Sequence, residues 1–250
     1  RHPWATNVQD ELFGVGMKLR SENTGWSPRG HEHTFERVQL GRWLRRASER
    51  IRPEEVPGER RCLEWDSAQY SRHFFARHCS VMDVLNYAGD FGVAPHVAPG
   101  GSDGQRRYVV DIHDAEGTIP AGSVGIALCG QVFEHLRRPH AAIRQLFRAV
   151  APGGYVVWSA PLFSELHGAP DDFFRYTPLG ARSLAEGAGF EVLELHAPGG
   201  RRQLVGYLLG MTAPYWREEE LLEEAGPGWP LQVYMLLRKP PLAASSPPQG

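Results

Sequence analysis

The sequence has few cysteines, no long apolar run and almost no net charge. Its three cysteines, Cys62, Cys79 and Cys129, are an odd number without metal-ligand spacing, so we predict a reducing compartment and a cytoplasmic protein. No apolar run approaches the roughly 20 residues of a spanning helix, and the segment beginning at Arg1 lacks the apolar core of a signal peptide. A formal net charge of -2 provides no overall field for nucleic acid or an anionic membrane, and we predict neither as a partner.

Two further features narrow the function classes. The sequence contains no Gly-x-Gly-x-x-Gly run, which argues against a nicotinamide-dependent oxidoreductase. The alternating His31-Glu32-His33 has residue types found in metal hydrolases, but it lies in an irregular leader and is interpreted as surface polar groups. We therefore predict no metal site.

The pattern of apolar residues divides the chain into three parts. Residues 1–59 are predicted to be an irregular lead-in followed by an amphipathic helix, because apolar residues from Phe35 to Ile51 recur near every 3.6 positions. Residues 60–239 form the predicted domain. The proline-rich residues 240–250 are predicted to be a disordered tail.

Short apolar runs alternate with helical patterns through the domain, which is typical of a doubly wound α/β fold. Strands are predicted at residues 61–65, 81–85, 108–112, 124–132, 155–160, 190–196 and 231–238. Residues 88–105 are rich in Gly, Pro and Asp and are predicted to form a loop. We expect a mostly parallel seven-stranded sheet with helices on both faces and a ligand site beyond the carboxyl ends of its strands.

A more specific pattern lies between Asp111 and Val192. Its segments are Asp111-Ile112-His113-Asp114, Gln131-Val132-Phe133-Glu134-His135, residues 146–154, Leu166-His167-Gly168, residues 171–178 and Ala188-Gly189-Phe190. In this order and spacing they resemble class I S-adenosylmethionine-dependent methyltransferases that modify small molecules. The resemblance implies a Rossmann-like methyltransferase fold with S-adenosylmethionine as the cofactor.

The resemblance also implies where the cofactor binds. A carboxylate after the third strand, Asp111 or Asp114, would accept a hydrogen bond from the adenine amino group, and the spacing does not decide between them. Asp114 has the alternative role of capping the following turn. Gly130 and Gln131 would lie beneath the methionine portion of the cofactor. The pair Glu134-His135 is interpreted as fixing the neighbouring loop.

The first strand departs from the family's pattern. A glycine-rich turn usually follows it, because the cofactor approaches the backbone closely, but Trp65 and Asp66 stand there in this chain. Glu64 keeps the acidic position that would bind the cofactor's ammonium group. Glu64 and Asp66 are therefore predicted to bind the cofactor.

The second strand departs as well. A carboxylate usually binds the two ribose hydroxyls there, whereas this chain offers Asn86, with Asp83 and Asp90 nearby. Asn86 is the predicted ligand, although an amide accepts hydrogen bonds less strongly than a carboxylate. These departures fit either a divergent working enzyme or a catalytically inactive module that acts through protein binding.

The loop after the fifth strand carries the catalytic candidates. His167 and Tyr176 are predicted to be catalytic, and His167 is the preferred general base because histidine accepts a proton near neutral pH. Arg175 is expected to brace this loop through an ion pair with Asp171. We predict methyl transfer from S-adenosylmethionine to a small-molecule acceptor, without predicting the acceptor's identity or the oligomeric state.

Overall fold

Strands and helices alternate along the chain. The structure, a computed structural model, describes residues 35–65, 70–87, 94–99, 104–167, 171–209 and 228–242. The strands are β1 (Arg61–Trp65), β2 (Val81–Asn86), β3 (His96–Pro99), β4 (Arg106–Val109), β5 (Val124–Gly130), β6 (Val150–Pro161), β7 (Glu191–His196) and β8 (Gln232–Arg238). The helices are α1 (Phe35–Arg50), α2 (Tyr70–Phe75), α3 (Pro139–Ala149), α4 (Pro178–Gly187) and α5 (Arg201–Leu208). The predicted lead-in before residue 35 and the tail from residue 243 lie outside the described residues.

The eight strands of the described residues form one sheet in the order β3-β4-β2-β1-β5-β6-β8-β7. The strands from β4 to β6 in this order are parallel, whereas β3 and β8 run antiparallel to their neighbours. The predicted doubly wound, mostly parallel sheet is confirmed, but the strand number of seven is wrong by one. The added strand, β3, lies within residues 88–105. Its exposed His96 and Val97 bury no face, so no apolar alternation marks it in the sequence.

Helices cover both faces of the sheet. Along β5, Ile126 and Leu128 belong to an apolar cluster with residues of α1 and α2. Ala127 and Cys129 belong to a second cluster, with residues of α3 and α4. Successive side chains of a strand point to opposite faces, so a strand covered on both sides has the nearly continuous apolar run that predicted β5.

Helix α1 packs directly on the sheet. Its Leu40, Trp43, Leu44 and Ala47 are buried, and the Trp43 ring stacks on Tyr234 of β8 with centroids 5.7 Å apart. The amphipathic helix predicted from Phe35 onward is confirmed. The boundary between residues 59 and 60 stays a prediction, although α1 shares its apolar cluster with the strands of the domain.

A disulfide joins Cys62 of β1 to Cys79, with Cα atoms 5.6 Å apart. Cys129 is a buried free thiol. The sequence prediction overlooked the pair, because Cys79, 17 positions from Cys62, meets β1 only through the segment that leads into β2, the parallel neighbour of β1. Disulfides are typical of oxidising compartments, so the cysteines no longer support a reducing one. The cytoplasmic location stays a prediction.

The strand order reverses at β1. From β1 the chain runs outward to β2 and β4, and it then returns to β5 on the other side of β1. Doubly wound sheets bind ligands in the crevice at such a reversal, beyond the carboxyl ends of the strands. Within the described residues, no helix is long and apolar enough to cross a bilayer.

Candidate active site

Two predicted cofactor-binding residues lie at the carboxyl ends of β1 and β2. Glu64 is 3% exposed and is in register with Val84 of β2 and Leu128 of β5. Asn86 is the last residue of β2, and its Oδ1 atom is buried without a hydrogen-bond donor among the described residues. An unsatisfied buried acceptor costs about 1–3 kcal/mol. The Asn86 oxygen is therefore suited to a donor supplied by a ligand.

Of the segment that stands in place of the family's glycine-rich turn, the structure describes only Trp65, the last residue of β1. Trp65 is partly buried and packs against the apolar cluster on the α3 and α4 side of the sheet. Asp66, predicted to bind the cofactor, lies outside the described residues. The core therefore accommodates part of the Trp65 side chain, which stands where the family usually has a small residue.

The two carboxylates after β4 have different surroundings. Asp111 caps a 3-10 turn, since its Oδ1 accepts a hydrogen bond from the backbone nitrogen of His113 at 2.9 Å. Asp114 is 72% exposed and forms a surface ion pair, with its Oδ2 2.9 Å from Nη2 of Arg138. Asp111 is less exposed and closer to the strand end, and the geometry favours it over Asp114 as the adenine-binding candidate.

The carboxyl end of β5 is held by side-chain hydrogen bonds. Gln131 has a positive φ of 56°, which is uncommon for a residue with a side chain. Its Nε2 donates to Ser159 Oγ and to Gln232 Oε1, both at 3.0 Å. The predicted contact between the Gln131 side chain and the cofactor therefore competes with two partners inside the protein.

A small cavity lies between α1 and the carboxyl ends of β1, β5 and β6. It is lined by Leu40, Trp43 and Leu44 of α1, and on the sheet by Glu64, Gly130 and Ser159 among others. A Cβ added to Gly130 would lie 3.4 Å from Ser159 Oγ and 3.8 Å from Leu40 Cδ1, which are ordinary contacts. The glycine is therefore not required by packing and leaves room in the cavity.

Two indole N–H groups add polar character to this cavity. Trp43 and Trp158 both line it, and the Nε1 atom of each is buried without an acceptor among the described residues. Buried donors normally have a partner. The cavity thus combines a carboxylate with donors that a polar ligand would satisfy.

The loop after β6 folds back onto the 3-10 turn Phe133–His135 that follows β5. The backbone nitrogens of Phe173 and Phe174 donate to the carbonyl oxygen of Glu134 at 2.8 and 3.1 Å. This contact agrees with the loop-fixing role predicted for Glu134. The hydroxyl of Tyr176 donates to the Phe133 carbonyl at 3.1 Å. Burial, and next the charge of Glu134, raise the pKa of Tyr176, so this residue stabilises the loop and the geometry does not favour it as a catalytic group.

An ion pair braces the same loop, although its acidic partner differs from the predicted one. Arg175 pairs with Asp172, with Nη2 and Oδ2 2.7 Å apart, whereas Asp171 is exposed. Arg175 also donates to the carbonyl of Glu165 at 3.0 Å. The hydrogen bonds from Arg175 to Asp172 hold the pKa of the Asp172 carboxyl well below its usual value. The prediction of Asp171 was wrong because sequence spacing does not show which of two adjacent aspartates turns inward.

His167, the predicted general base, belongs to a cluster with Glu134 and His135. Oε1 of Glu134 lies 3.8 Å from Nε2 of His135 and 3.9 Å from Nε2 of His167. The two imidazole rings meet edge to face with centroids 5.0 Å apart. This cluster was not predicted, because the segment at 133–135 and the loop at 167 come together only in the folded chain.

Comparisons with known proteins agree with this geometry. A family model described as a methyltransferase domain matches residues 97–158, about a quarter of the chain. The fold is that of a class I methyltransferase. The predicted resemblance is thereby confirmed. A putative sarcosine dimethylglycine methyltransferase from Galdieria sulphuraria superposes with a TM-score of 0.51 at 14% identity, over 82% of this chain and 86% of that one.

A second solved structure also shares the methyltransferase fold. In the complex between the Haloferax volcanii Trm112 methyltransferase activator and the putative methyltransferase, a chain is similar with a TM-score of 0.53 at 13% identity. The match covers 92% of this chain and 98% of that chain. A search among curated proteins gives no match. These similarities establish the methyltransferase fold and leave the acceptor open.

Proposed function

We propose that the chain transfers a methyl group from S-adenosylmethionine to a small-molecule acceptor. The observation that carries the proposal is the buried, unsatisfied Oδ1 of Asn86 at the carboxyl end of β2, beside the buried carboxylate of Glu64 on β1. Both lie at the reversal of strand order, where this fold binds its ligand. A ribose hydroxyl supplies the donor that Asn86 lacks.

The residues present fit the remaining parts of the cofactor. Glu64 would bind the ammonium group of the methionine portion, and its burial strengthens such a contact. The Asp111 carboxylate would accept a hydrogen bond from the adenine amino group. Gly130, without a side chain, leaves the carboxyl end of β5 open on the side where the methionine portion would lie. Glu64, Asn86, Asp111 and Gly130 thus form our proposed cofactor site, with Gln131 holding the strand end.

When bound, S-adenosylmethionine supplies an electrophilic methyl group on a sulfonium. The protein's contribution is then mainly to align the acceptor and to exclude water. Leu40, Trp43 and Leu44 of α1 close one side of the cavity with apolar surface. The Arg175–Asp172 pair holds the loop after β6 in place.

We propose His167 as the residue that contacts the acceptor. Its side chain is 42% exposed, so it is accessible from solvent, and it belongs to the loop after β6, which carries the predicted catalytic residues. A small molecule is favoured because no basic patch with interleaved aromatic residues marks the sequence.

Calorimetric titration of the purified chain with S-adenosylmethionine and S-adenosylhomocysteine tests the cofactor site. We expect binding in the micromolar range that Glu64→Gln weakens roughly tenfold, an effect of about 1.4 kcal/mol. Glu116→Gln, which changes an exposed carboxylate, should bind as the wild type does. A folded wild-type chain that binds neither ligand would contradict the proposal and favour the catalytically inactive module.

Incubation with methyl-labelled S-adenosylmethionine and a cell extract tests the acceptor class. We expect label in the small-molecule fraction after removal of protein and nucleic acid. Label confined to protein or nucleic acid would contradict a small-molecule acceptor. The His167→Ala variant should bind S-adenosylhomocysteine normally while incorporating less label.

A further inference from the structure

We propose that Glu134, His135 and His167 bind a divalent transition-metal ion of the zinc class. One potential ligand atom from each residue lies within 4.8 Å of the other two. Oε1 of Glu134 is 3.8 Å from Nε2 of His135 and 3.9 Å from Nε2 of His167. In a tetrahedral site with each ligand about 2.1 Å from the ion, the ligand atoms lie about 3.4 Å apart. The two measured separations exceed this by about 0.5 Å, so the side chains must close slightly around the ion.

Backbone carbonyls set both imidazoles in the tautomer that metal binding requires. Nδ1 of His135 is 2.6 Å from the carbonyl oxygen of Asp171, and Nδ1 of His167 is 3.0 Å from that of Glu165. A carbonyl oxygen only accepts, so each Nδ1 carries the proton and each Nε2 keeps its lone pair in the neutral ring. Metal-bound histidines in proteins usually have this second hydrogen bond.

The loop that presents these carbonyls is itself braced. Arg175 donates to the Glu165 carbonyl and pairs with Asp172, whose Oδ2 accepts a hydrogen bond from the backbone nitrogen of His167 at 3.0 Å. The backbone around His167 is therefore fixed on the same side as Glu134. A braced set of ligands lowers the cost of ordering the site when the ion binds.

Burial decreases from one side of the cluster to the other. Glu134 is fully buried, His135 is 17% exposed and His167 is 42% exposed. The anionic ligand thus lies at the base of the cluster, and the open side faces solvent. Three protein ligands with an open position are typical of catalytic rather than structural zinc sites.

The donor set selects the class of ion. Two imidazoles with one carboxylate suit Zn²⁺, Co²⁺ and related ions, whereas Mg²⁺ prefers oxygen ligands. The inference goes beyond the proposed function and does not depend on it, because metal binding can be measured without the cofactor. In the metal-bound chain His167 would be a ligand of the ion. It would then act on the methyl acceptor through the ion, which would hold and polarise an acceptor oxygen.

The test uses the full chain after dialysis against a chelator. Co²⁺ is added while visible absorption is recorded, and Zn²⁺ binding is measured by calorimetry. We expect one equivalent of Co²⁺ to produce the absorption bands of a four- or five-coordinate ion and to be displaced by Zn²⁺ but not by Mg²⁺. His135→Ala and His167→Ala should each weaken Zn²⁺ binding by at least roughly 100-fold, because losing a direct ligand costs no less than losing an outer-shell partner, which costs about 10- to 100-fold.

Two control variants separate this site from the other histidines. His140→Ala changes an exposed histidine on α3, and a double variant, His31→Ala with His33→Ala, removes the two alternating histidines of the leader. Both should bind Zn²⁺ as the wild type does. Failure of the folded wild type to bind Zn²⁺, or an equal loss of binding in either control, would overturn the proposal. Cofactor titration on the same samples shows independently whether the methyltransferase site is intact.

Discussion

We divide the proposed site into a cofactor-facing half, at the ends of β1 and β2, and an acceptor-facing half, at the ends of β5 and β6. The polar groups of the two halves are satisfied in different ways. At the end of β2, the Asn86 oxygen is buried and has no donor among the described residues. At the ends of β5 and β6, the Gln131 amide has two protein acceptors, and Arg175 donates to Asp172 and to three backbone carbonyls. Our interpretation is that Asn86 is completed by a ligand, whereas the hydrogen bonds of Gln131 and Arg175 are already completed within the protein.

This difference assigns separate consequences to mutations in the two halves. Removing a group whose partner is a ligand should change affinity and leave folding nearly unchanged. Removing a group that the protein already satisfies should leave its partners unpaired, which costs folding free energy. The two halves can therefore be distinguished by measuring stability and affinity on the same variants.

The largest effect is expected for Arg175→Ala. The change leaves the Asp172 carboxylate, 5% exposed, without its cation, and it removes the donor to the Glu165 carbonyl. We expect the free energy of unfolding, measured by urea denaturation, to fall by about 3 kcal/mol. Arg182→Ala, which breaks an exposed pair with Glu186, is the matched control and should cost less than about 0.5 kcal/mol. Equal losses in the two variants would refute the bracing role.

A smaller effect is expected at Gln131. Gln131→Ala removes the donor to Ser159 and Gln232 and should lower the free energy of unfolding by about 2 kcal/mol. Gln131→Gly loses the same hydrogen bonds but relieves the cost of the positive φ, so it should be about 1 kcal/mol more stable than the alanine variant. If the glycine variant unfolds more easily than the alanine variant, the backbone at this strand end is not strained.

The smallest effect is expected at Asp114, and it sharpens the choice between two carboxylates. Asp114→Ala breaks only an exposed ion pair and should change stability by less than about 0.5 kcal/mol, with no change in S-adenosylhomocysteine affinity. Asp111→Ala removes a turn cap, at a cost of about 1 kcal/mol, and should weaken the ligand. Calorimetry that shows the reverse order of affinities would assign the adenine contact to Asp114.

The sequence predicted the elements that periodicity and capping determine. Thr177 and Pro178 at the start of α4 form a helix-start signal that local sequence carries, and the Thr177 side chain accepts from the backbone nitrogen of Gly180. The apolar run of β5 was visible because both faces of that strand are covered. Edge strand β3 was missed because its exposed residues produce no such run.

The site was harder to predict, since it depends on which distant segments meet. The motif around Glu134 and His135 was recognised, but its contact with His167 arises from the packing of the loop after β6. The inward turn of Asp172 is likewise a tertiary effect. The pairing of Cys62 with Cys79 depends on how the chain enters β2 beside β1, which local composition does not encode.

The most direct test of this division of the site into two halves is S-adenosylhomocysteine affinity measured for the wild type, Asn86→Ala and His167→Ala. We predict that Asn86→Ala binds roughly tenfold more weakly, because it loses one hydrogen bond of about 1–1.5 kcal/mol. His167→Ala should bind within about twofold of the wild type, since its side chain lies in the acceptor-facing half. Equal weakening in both variants, or no binding by the wild type, would contradict the account.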